Sequence, residues 1–162
     1  MANGKATEAA RLLMDAWDNS AVLPTLPASC APANEAEAIQ INDAIMAGNP
    51  HPIGGWKIGA TGEGPQKALG LSQPFVGGIR AANVITGDAE FAFADLNRPL
   101  IESEYAYRLK ADLPASGAPH DRATVEAAIG SLIAGIEVPL SRLGAENGLG
   151  PLALVADHGG TG

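Results

Sequence analysis

The sequence predicts an α+β protein, in which helices near the N-terminus precede a body of short strands. Two early segments carry apolar residues at helical spacing, whereas the chain after residue 50 has short β-prone runs separated by Gly and Asp. Glycine (20 residues) and proline (12 residues) are plentiful, which favours turns and short strands over a helical bundle. With 162 residues, the chain can form one domain, or one domain with a small companion.

The charge balance excludes one large class of partners. The formal net charge is −8, and only ten Lys and Arg residues occur, spread along the chain. Because binding to nucleic acid needs clustered Lys and Arg, we predict no nucleic-acid partner. A cationic or metal-bridged ligand suits this composition better.

The sequence carries no recognisable targeting signal. Cys30 is the single cysteine, so no disulfide bond can form within the chain. No basic segment leads into an apolar run near the N-terminus, and no apolar stretch reaches membrane-spanning length. We therefore expect a cytoplasmic protein without a membrane partner.

The first predicted element is an amphipathic helix over residues 5–18. Its apolar stripe at helical spacing consists of Ala6, Ala9, Ala10, Leu13 and Trp17. The segment "VLPTLPASCAPA" that follows is rich in proline and can hold no helix.

A second helix is predicted from Asn34 to Gly48. Asn34 is a suitable N-cap, and Glu37 three residues later comes close to a capping box. Gly48 is a typical terminating residue. The buried stripe of this helix is predicted to be Ala38, Ile41 and Ile45.

After Pro50 the chain has the character of strands and glycine-rich loops. A strand entering a glycine-rich loop is predicted over residues 51–66, with a brief helix around Gln66 to Leu69. Asp121 or Thr124 is placed to cap a helix that runs through about Leu132. The remaining predicted strands lie in segments 75–96, 98–114, 132–140 ("LIAGIEVPL") and 151–157 ("PLALVAD").

Two glutamates lie one residue apart in the stretch "RPLIESEYAYRLKADLP". On a strand, residues i and i+2 share a face, so Glu102 and Glu104 point to the same side. Taken alone, such a pair is also typical of the solvated side of an antiparallel strand.

Glu137 is the third acidic residue of interest, because its neighbours in "LIAGIEVPL" are apolar or glycine. A carboxylate in a buried strand is costly unless it is paired or coordinates a cation. Either of two arrangements would offset this cost for Glu137. One is an ion pair with Arg142 or Arg108, and the other is a cation shared with Glu102 and Glu104.

Convergence of the three glutamates would require a counter-charge. Two carboxylates about 5 Å apart repel by roughly 3 kcal/mol at an effective dielectric constant near 20. Three carboxylate oxygens suit a hard ion such as Mg²⁺ or Mn²⁺, and leave coordination positions for water or a bidentate ligand. Zinc is disfavoured, because His51, His120 and His158 are far apart and are predicted to be loop residues.

Several motifs together resemble a known family. The segments are "AARLLMDAW", "GGWKIGATGEGPQKALGL", "PLIESEYAYRL", "GIEVPLSR" and "LVADHGG". In this order they are similar to 2-keto-4-pentenoate hydratases, members of the fumarylacetoacetate hydrolase superfamily. That superfamily also includes 2-oxo-hexenedioate decarboxylases. The resemblance covers almost the whole chain.

The resemblance implies a fold and a site. The implied fold is a small N-terminal α/β region followed by a mixed β roll or sandwich, which we divide into residues 1–70 and 71–162. The implied metal ligands for Mg²⁺ or Mn²⁺ are Glu102, Glu104 and Glu137, and Lys57 is implied to act in catalysis. Without the resemblance, Lys57 beside Trp56 is equally typical of a surface lysine. Homo-oligomers are usual in the family.

Three departures from the family pattern stand out. Residues 156–158 read Ala-Asp-His where family members commonly have Ala-Asp-Asn, which affects a polar contact near the substrate. Residues 140–142 read Leu-Ser-Arg where the family has Asp-Ser-Arg, which affects a local hydrogen bond. Relatives continue past residue 162 with further strands, so we expect an incomplete β body.

The function implied by the resemblance is hydration of 2-hydroxypenta-2,4-dienoate-like substrates to 4-hydroxy-2-oxo acids in aromatic-compound catabolism. The partner would be a small 2-oxo acid or dienol. Decarboxylation of a 2-oxo-dioate, carbon–carbon hydrolysis of an acylpyruvate and an inactive shortened fragment are the alternatives.

Overall fold

A computed structural model describes residues 4–93, 96–97 and 99–157. The helices are α1 (Gly4–Asp18), α2 (Glu35–Gly48), α3 (Glu63–Leu69), α4 (Arg122–Ala128) and α5 (Pro151–Ala156). The strands are β1 (Ile53–Gly59), β2 (Phe75–Arg80), β3 (Glu102–Leu109) and β4 (Ile129–Glu137). This mixture of helices and small antiparallel sheets confirms the predicted α+β class.

The contacts divide the chain into two compact units. The first contains the residues up to Pro99 and those from Pro139 onward, and the second is Leu100–Val138. The first unit holds α1, α2, α3, α5 and the β1–β2 ribbon, and the second holds α4 and the β3–β4 ribbon. The division into residues 1–70 and 71–162 stays a prediction.

The core of the first unit lies between α1, α2 and α5. Helix α1 buries a stripe of small residues and one leucine, namely Ala6, Ala9, Ala10, Leu13 and Ala16. Trp17 is half-buried instead of completing the stripe, and its indole N–H donates a hydrogen bond to Asp157. Small side chains on α1 allow helices to approach closely, so that Leu13 is fully buried.

Helix α2 begins and ends as the sequence predicts. The Asn34 side-chain oxygen accepts the Glu37 N–H at 3.0 Å. The Glu37 carboxylate accepts a hydrogen bond at 3.0 Å from the N–H of Ala33, one residue before the N-cap. It also forms an ion pair with Lys5 at 2.6 Å. The predicted stripe of Ala38, Ile41 and Ile45 is buried, and Asn42 joins it by donating to the Val76 carbonyl at 2.7 Å.

The β1–β2 ribbon is antiparallel and carries the conspicuous glycines of the middle of the chain. Trp56 pairs with Gly78, and Lys57 pairs with Gly77. A β-carbon at Gly78 would lie 2.6 Å from the terminal carbon of Met46, which is closer than side chains pack. The absence of a side chain at Gly78 therefore leaves room for the flexible end of Met46 from α2, which a β-carbon would displace.

Helix α4 is shorter than the sequence predicts. Its N-cap is Asp121, which accepts the Thr124 N–H at 2.8 Å, as expected. The helix ends at Ala128 instead of reaching Leu132, because the residues from Ile129 onward pair with the end of β3. Pairing with another strand thus overrides the helical preference of this segment.

The predicted strand "PLALVAD" is a helix, α5 (Pro151–Ala156). Proline occupies the first turn, where its missing N–H costs nothing. Ala153, Val155 and Ala156 are buried, and α5 packs on α2. A short apolar run of this length has no periodicity that separates a strand from a helix, so the prediction was wrong.

No helix in the described ranges is long and apolar enough to cross a membrane.

Substitution of Gly54 tests the close packing of β1 against the residues after β2. A β-carbon at Gly54 would lie 2.7 Å from the backbone Cα of Ala81, which cannot move aside without shifting the chain. We expect Gly54→Ala to lower the free energy of unfolding by about 1–3 kcal/mol, as overpacking usually does. Urea unfolding followed by circular dichroism measures the change.

Gly55→Ala is the matched control in the same strand. Its β-carbon would meet only the Ile79 methyl at 3.9 Å, an ordinary contact. Equal destabilisation by the two substitutions would contradict the packing described for Gly54.

Candidate metal centre

The register of the β3–β4 ribbon brings the three glutamates onto one face. The strands are antiparallel, with Glu102 directly opposite Glu137 and Glu104 directly opposite Gly135. Directly opposed residues share a face, and so do residues two apart in a strand. Glu102, Glu104 and Glu137 therefore project from the same side of the ribbon.

Their carboxylates lie close together. One ligand oxygen from each of Glu102, Glu104 and Glu137 can be chosen so that all three lie within 4.8 Å of one another. Glu102 and Glu104 are exposed, and Glu137 is half-buried. Within the described part of the chain, no other group of three His, Cys, Asp or Glu side chains meets this distance.

The surroundings of Glu137 differ from those predicted. The sequence suggests a buried apolar strand, but β4 is largely exposed within the described structure, and Ile136 is 74% accessible. The desolvation argument for Glu137 is therefore weaker than expected. The closeness of the Glu137 carboxylate to those of Glu102 and Glu104 is therefore the stronger reason to expect a bound cation.

Gly135 keeps this face of the ribbon open. It is the cross-strand partner of Glu104 and the residue two before Glu137, so any side chain there would project among the carboxylates. A β-carbon at Gly135 would have only the Glu104 carbonyl oxygen nearby, at 3.9 Å. The sequence analysis did not identify this residue, although the spacing Gly-x-Glu in β4 carries the signal.

The donor set fits a hard divalent cation. Like charges placed directly opposite each other destabilise a strand pair, and a bound cation offsets that repulsion. Adjacent oxygens around octahedral Mg²⁺ are about 3 Å apart, given metal–oxygen distances near 2.1 Å. The chosen oxygens lie within 4.8 Å of one another, and rotations of the exposed Glu102 and Glu104 side chains can adjust them to the octahedral spacing.

Lys57, the remaining predicted site residue, lies in β1 of the first unit. It is half-buried, whereas its neighbour Trp56 is 62% accessible. The alternation in β1 thus turns Lys57 toward its more covered face. Its catalytic role stays a prediction.

The histidines and the cysteine have other surroundings. His51 lies 3.2 Å from the Asp18 carboxylate, and one His120 ring nitrogen lies 3.1 Å from the Pro114 carbonyl oxygen. Cys30 is buried, and this burial raises the pKa of its thiol. His158 lies outside the described residues.

Comparison with known proteins adds to this geometry. No protein-family model matches the sequence. The chain is 36% identical over 145 residues to a 2-keto-4-pentenoate hydratase of Burkholderia vietnamiensis, a match that covers 87% of this chain and 54% of the relative. A 2-keto-4-pentenoate hydratase of Paraburkholderia phymatum is 34% identical over 104 residues, which are 64% of this chain and 39% of the relative.

Solved structures share the fold. 4-Oxalocrotonate decarboxylase from Pseudomonas putida G7, complexed with magnesium and adipate, superimposes with a TM-score of 0.79 at 22% identity. The same enzyme complexed with calcium and acetate gives a TM-score of 0.78. Each match covers 98% of this chain and 60% of the solved chain.

The fold is thus that of the solved 4-oxalocrotonate decarboxylase, and the chain matches 60% of that chain. Within that fold class, the chain is homologous to the 2-keto-4-pentenoate hydratases over the residues that it matches, which confirms the resemblance seen in the sequence. It spans about half the length of these curated relatives.

Removal of one charge tests whether the carboxylate cluster binds a cation. In EDTA, Glu137→Gln should raise the free energy of unfolding of the ribbon by about 0.2–1 kcal/mol, because it relieves cross-strand repulsion. With Mn²⁺ at a hundred times its dissociation constant, the original chain should gain about 2.7 kcal/mol, and the variant should lose most of this gain. Denaturant unfolding with and without Mn²⁺ measures both effects.

Glu126→Gln serves as the control, since Glu126 lies in the same unit and is exposed on α4 beside Arg122. It should leave the Mn²⁺-dependent gain unchanged. Equal Mn²⁺ effects in the two variants would mean that the cluster does not bind the cation.

Proposed function

We propose that this chain carries the metal-binding part of a hydratase. The reaction would add water to 2-hydroxypenta-2,4-dienoate-like substrates and give 4-hydroxy-2-oxo acids in the breakdown of aromatic compounds. The observation that supports it most is the set of three carboxylates on one face of the β3–β4 ribbon. The names of the curated relatives support hydration as the reaction.

Glu102, Glu104 and Glu137 would hold the cation, Mg²⁺ or Mn²⁺. The magnesium and calcium in the solved relatives support a hard ion with oxygen ligands. When bound, such an ion acts as a Lewis acid toward the oxygens of a 2-oxo acid. The three carboxylates of the chain would fix its position.

The open face beside the glutamates suits a small planar substrate. Glycine at 135 leaves room where a side chain would compete with a ligand of the cation. A 2-oxo acid or its dienol presents a carboxylate and an adjacent oxygen, and the two together can occupy neighbouring coordination positions. We propose such a molecule as the partner, and assembly of the protein into homo-oligomers.

Lys57 is the proposed catalytic residue. A lysine ammonium can orient the substrate carboxylate through a charge-assisted hydrogen bond, or move a proton when its surroundings favour the neutral amine. Hydration of the dienol requires proton transfer to carbon, so a residue of this kind is needed. The half-buried position of Lys57 in β1 is compatible with either role.

Loss of dienol absorbance provides the direct test. With Mg²⁺ present, the protein should bleach the ultraviolet absorbance of 2-hydroxypenta-2,4-dienoate, and Lys57→Met should lower kcat by about 10²- to 10⁴-fold, as loss of an acid–base group does. Affinity for Mn²⁺ should stay the same in this variant, because Lys57 is not a proposed ligand.

Lys67→Met, on the exposed side of α3, is the control and should retain full activity. Bleaching no faster than with Mg²⁺ alone, from a folded chain that binds the cation, would rule out the hydratase proposal for this chain. Product analysis distinguishes hydration from decarboxylation and from carbon–carbon hydrolysis.

A further inference from the structure

A fully buried carboxylate, Asp157, lies at the end of α5, and the proposed reaction does not use it. Asp157 is 0% accessible. One of its oxygens accepts the Trp17 indole N–H at 3.0 Å, and the other accepts the Ser141 hydroxyl at 2.8 Å and the Arg142 backbone N–H at 2.7 Å. The carboxylate thus joins α1, the segment after β4 and α5, and we call these four residues the Asp157 node.

The three groups that donate hydrogen bonds to the buried carboxylate are neutral. The nearby positive charge is the Arg142 guanidinium, which lies over the Trp17 ring at 4.2 Å from its centroid. The buried Arg142 Nε atom has no hydrogen-bond partner among the described residues. Arg80 lies close enough to Arg142 for the two positive charges to repel each other. Its guanidinium donates to Asp18 at 2.7 Å, and Asp18 also contacts His51.

The balance between burial and hydrogen bonding decides which form of Asp157 the fold prefers. Burial raises the pKa of Asp157 to about 6, and the hydrogen bonds and the Arg142 charge only partly oppose this effect. The Ser141 hydroxyl oxygen already accepts the Leu143 N–H at 3.0 Å. When its own hydrogen turns away from the carboxylate, its second lone pair can accept a hydrogen bond from protonated Asp157.

We propose that the Asp157 node is a proton-sensitive latch, which holds α5 on α1 most firmly when Asp157 is protonated and loosens when it ionises. The sign follows from linkage. In the unfolded chain, the pKa of Asp157 has its ordinary value of 3.8, which is lower than its pKa in the folded chain. The stabilisation is therefore complete below about pH 4 and is lost as pH rises through 6.

Paired unfolding measurements isolate this residue from the other carboxylates. The ratio of folding equilibrium constants, original chain over Asp157→Asn, should fall roughly sixtyfold between pH 4 and pH 7, since the pKa of Asp157 is about two units higher in the folded state than in the unfolded state. Carboxylates with lowered pKa values, such as Asp18, cancel in this ratio. A ratio that stays constant, or rises with pH, would overturn the proposal.

Trp17 offers a second readout that does not require the Asn variant to fold. Trp56→Phe leaves Trp17 as the single tryptophan, and its emission should then titrate near pH 6. Ser141→Ala removes a hydrogen bond to the ionised carboxylate, so it should move this midpoint to higher pH. His51→Asn should leave the midpoint in place. A midpoint that follows His51, or that ignores Ser141, would contradict the latch.

Discussion

The candidate site depends on the pairing register of two strands. Glu102 lies opposite Glu137, and Glu104 lies opposite Gly135. Three carboxylates therefore share one face of the ribbon with a glycine, which has no side chain. A shift of the register by one residue would send Glu137 to the other face and disperse the cluster. The bulge in this ribbon lies at its other end, between Arg108 and Leu109, and leaves the paired glutamates in regular register.

This arrangement makes the end of the ribbon a candidate site for a cation. A two-stranded ribbon is marginally stable by itself, and every residue of β3 is exposed. Like charges at its end weaken it further, so an ion bound there would contribute to folding. The first unit is built differently, since its helices bury a continuous apolar core.

The sequence predicts the elements that carry local signals. The apolar stripes predict helices α1 and α2, and the capping residues also predict where α2 begins and ends. The alternation of "ESEYAY" predicts that Glu102 and Glu104 share a face. Cross-strand register leaves no local signal, so the position of Glu137 opposite Glu102 emerges only from the structure. Helix α5 was wrongly predicted as a strand because its short apolar run lacks a diagnostic period. Asp157 appeared in the sequence only as part of a family motif, and its burial depends on contacts with residues 140 positions earlier.

Paramagnetic relaxation by Mn²⁺ tests the central claim most directly. In a ¹⁵N-labelled chain, substoichiometric Mn²⁺ should broaden the backbone amide signals of residues 102–104 and 135–137 first, because these residues surround the three carboxylates. The amide signals near the other acidic residues should broaden only at much higher Mn²⁺ concentrations. Uniform broadening across the acidic residues, or selective broadening elsewhere, would show that the three glutamates do not form a cation site.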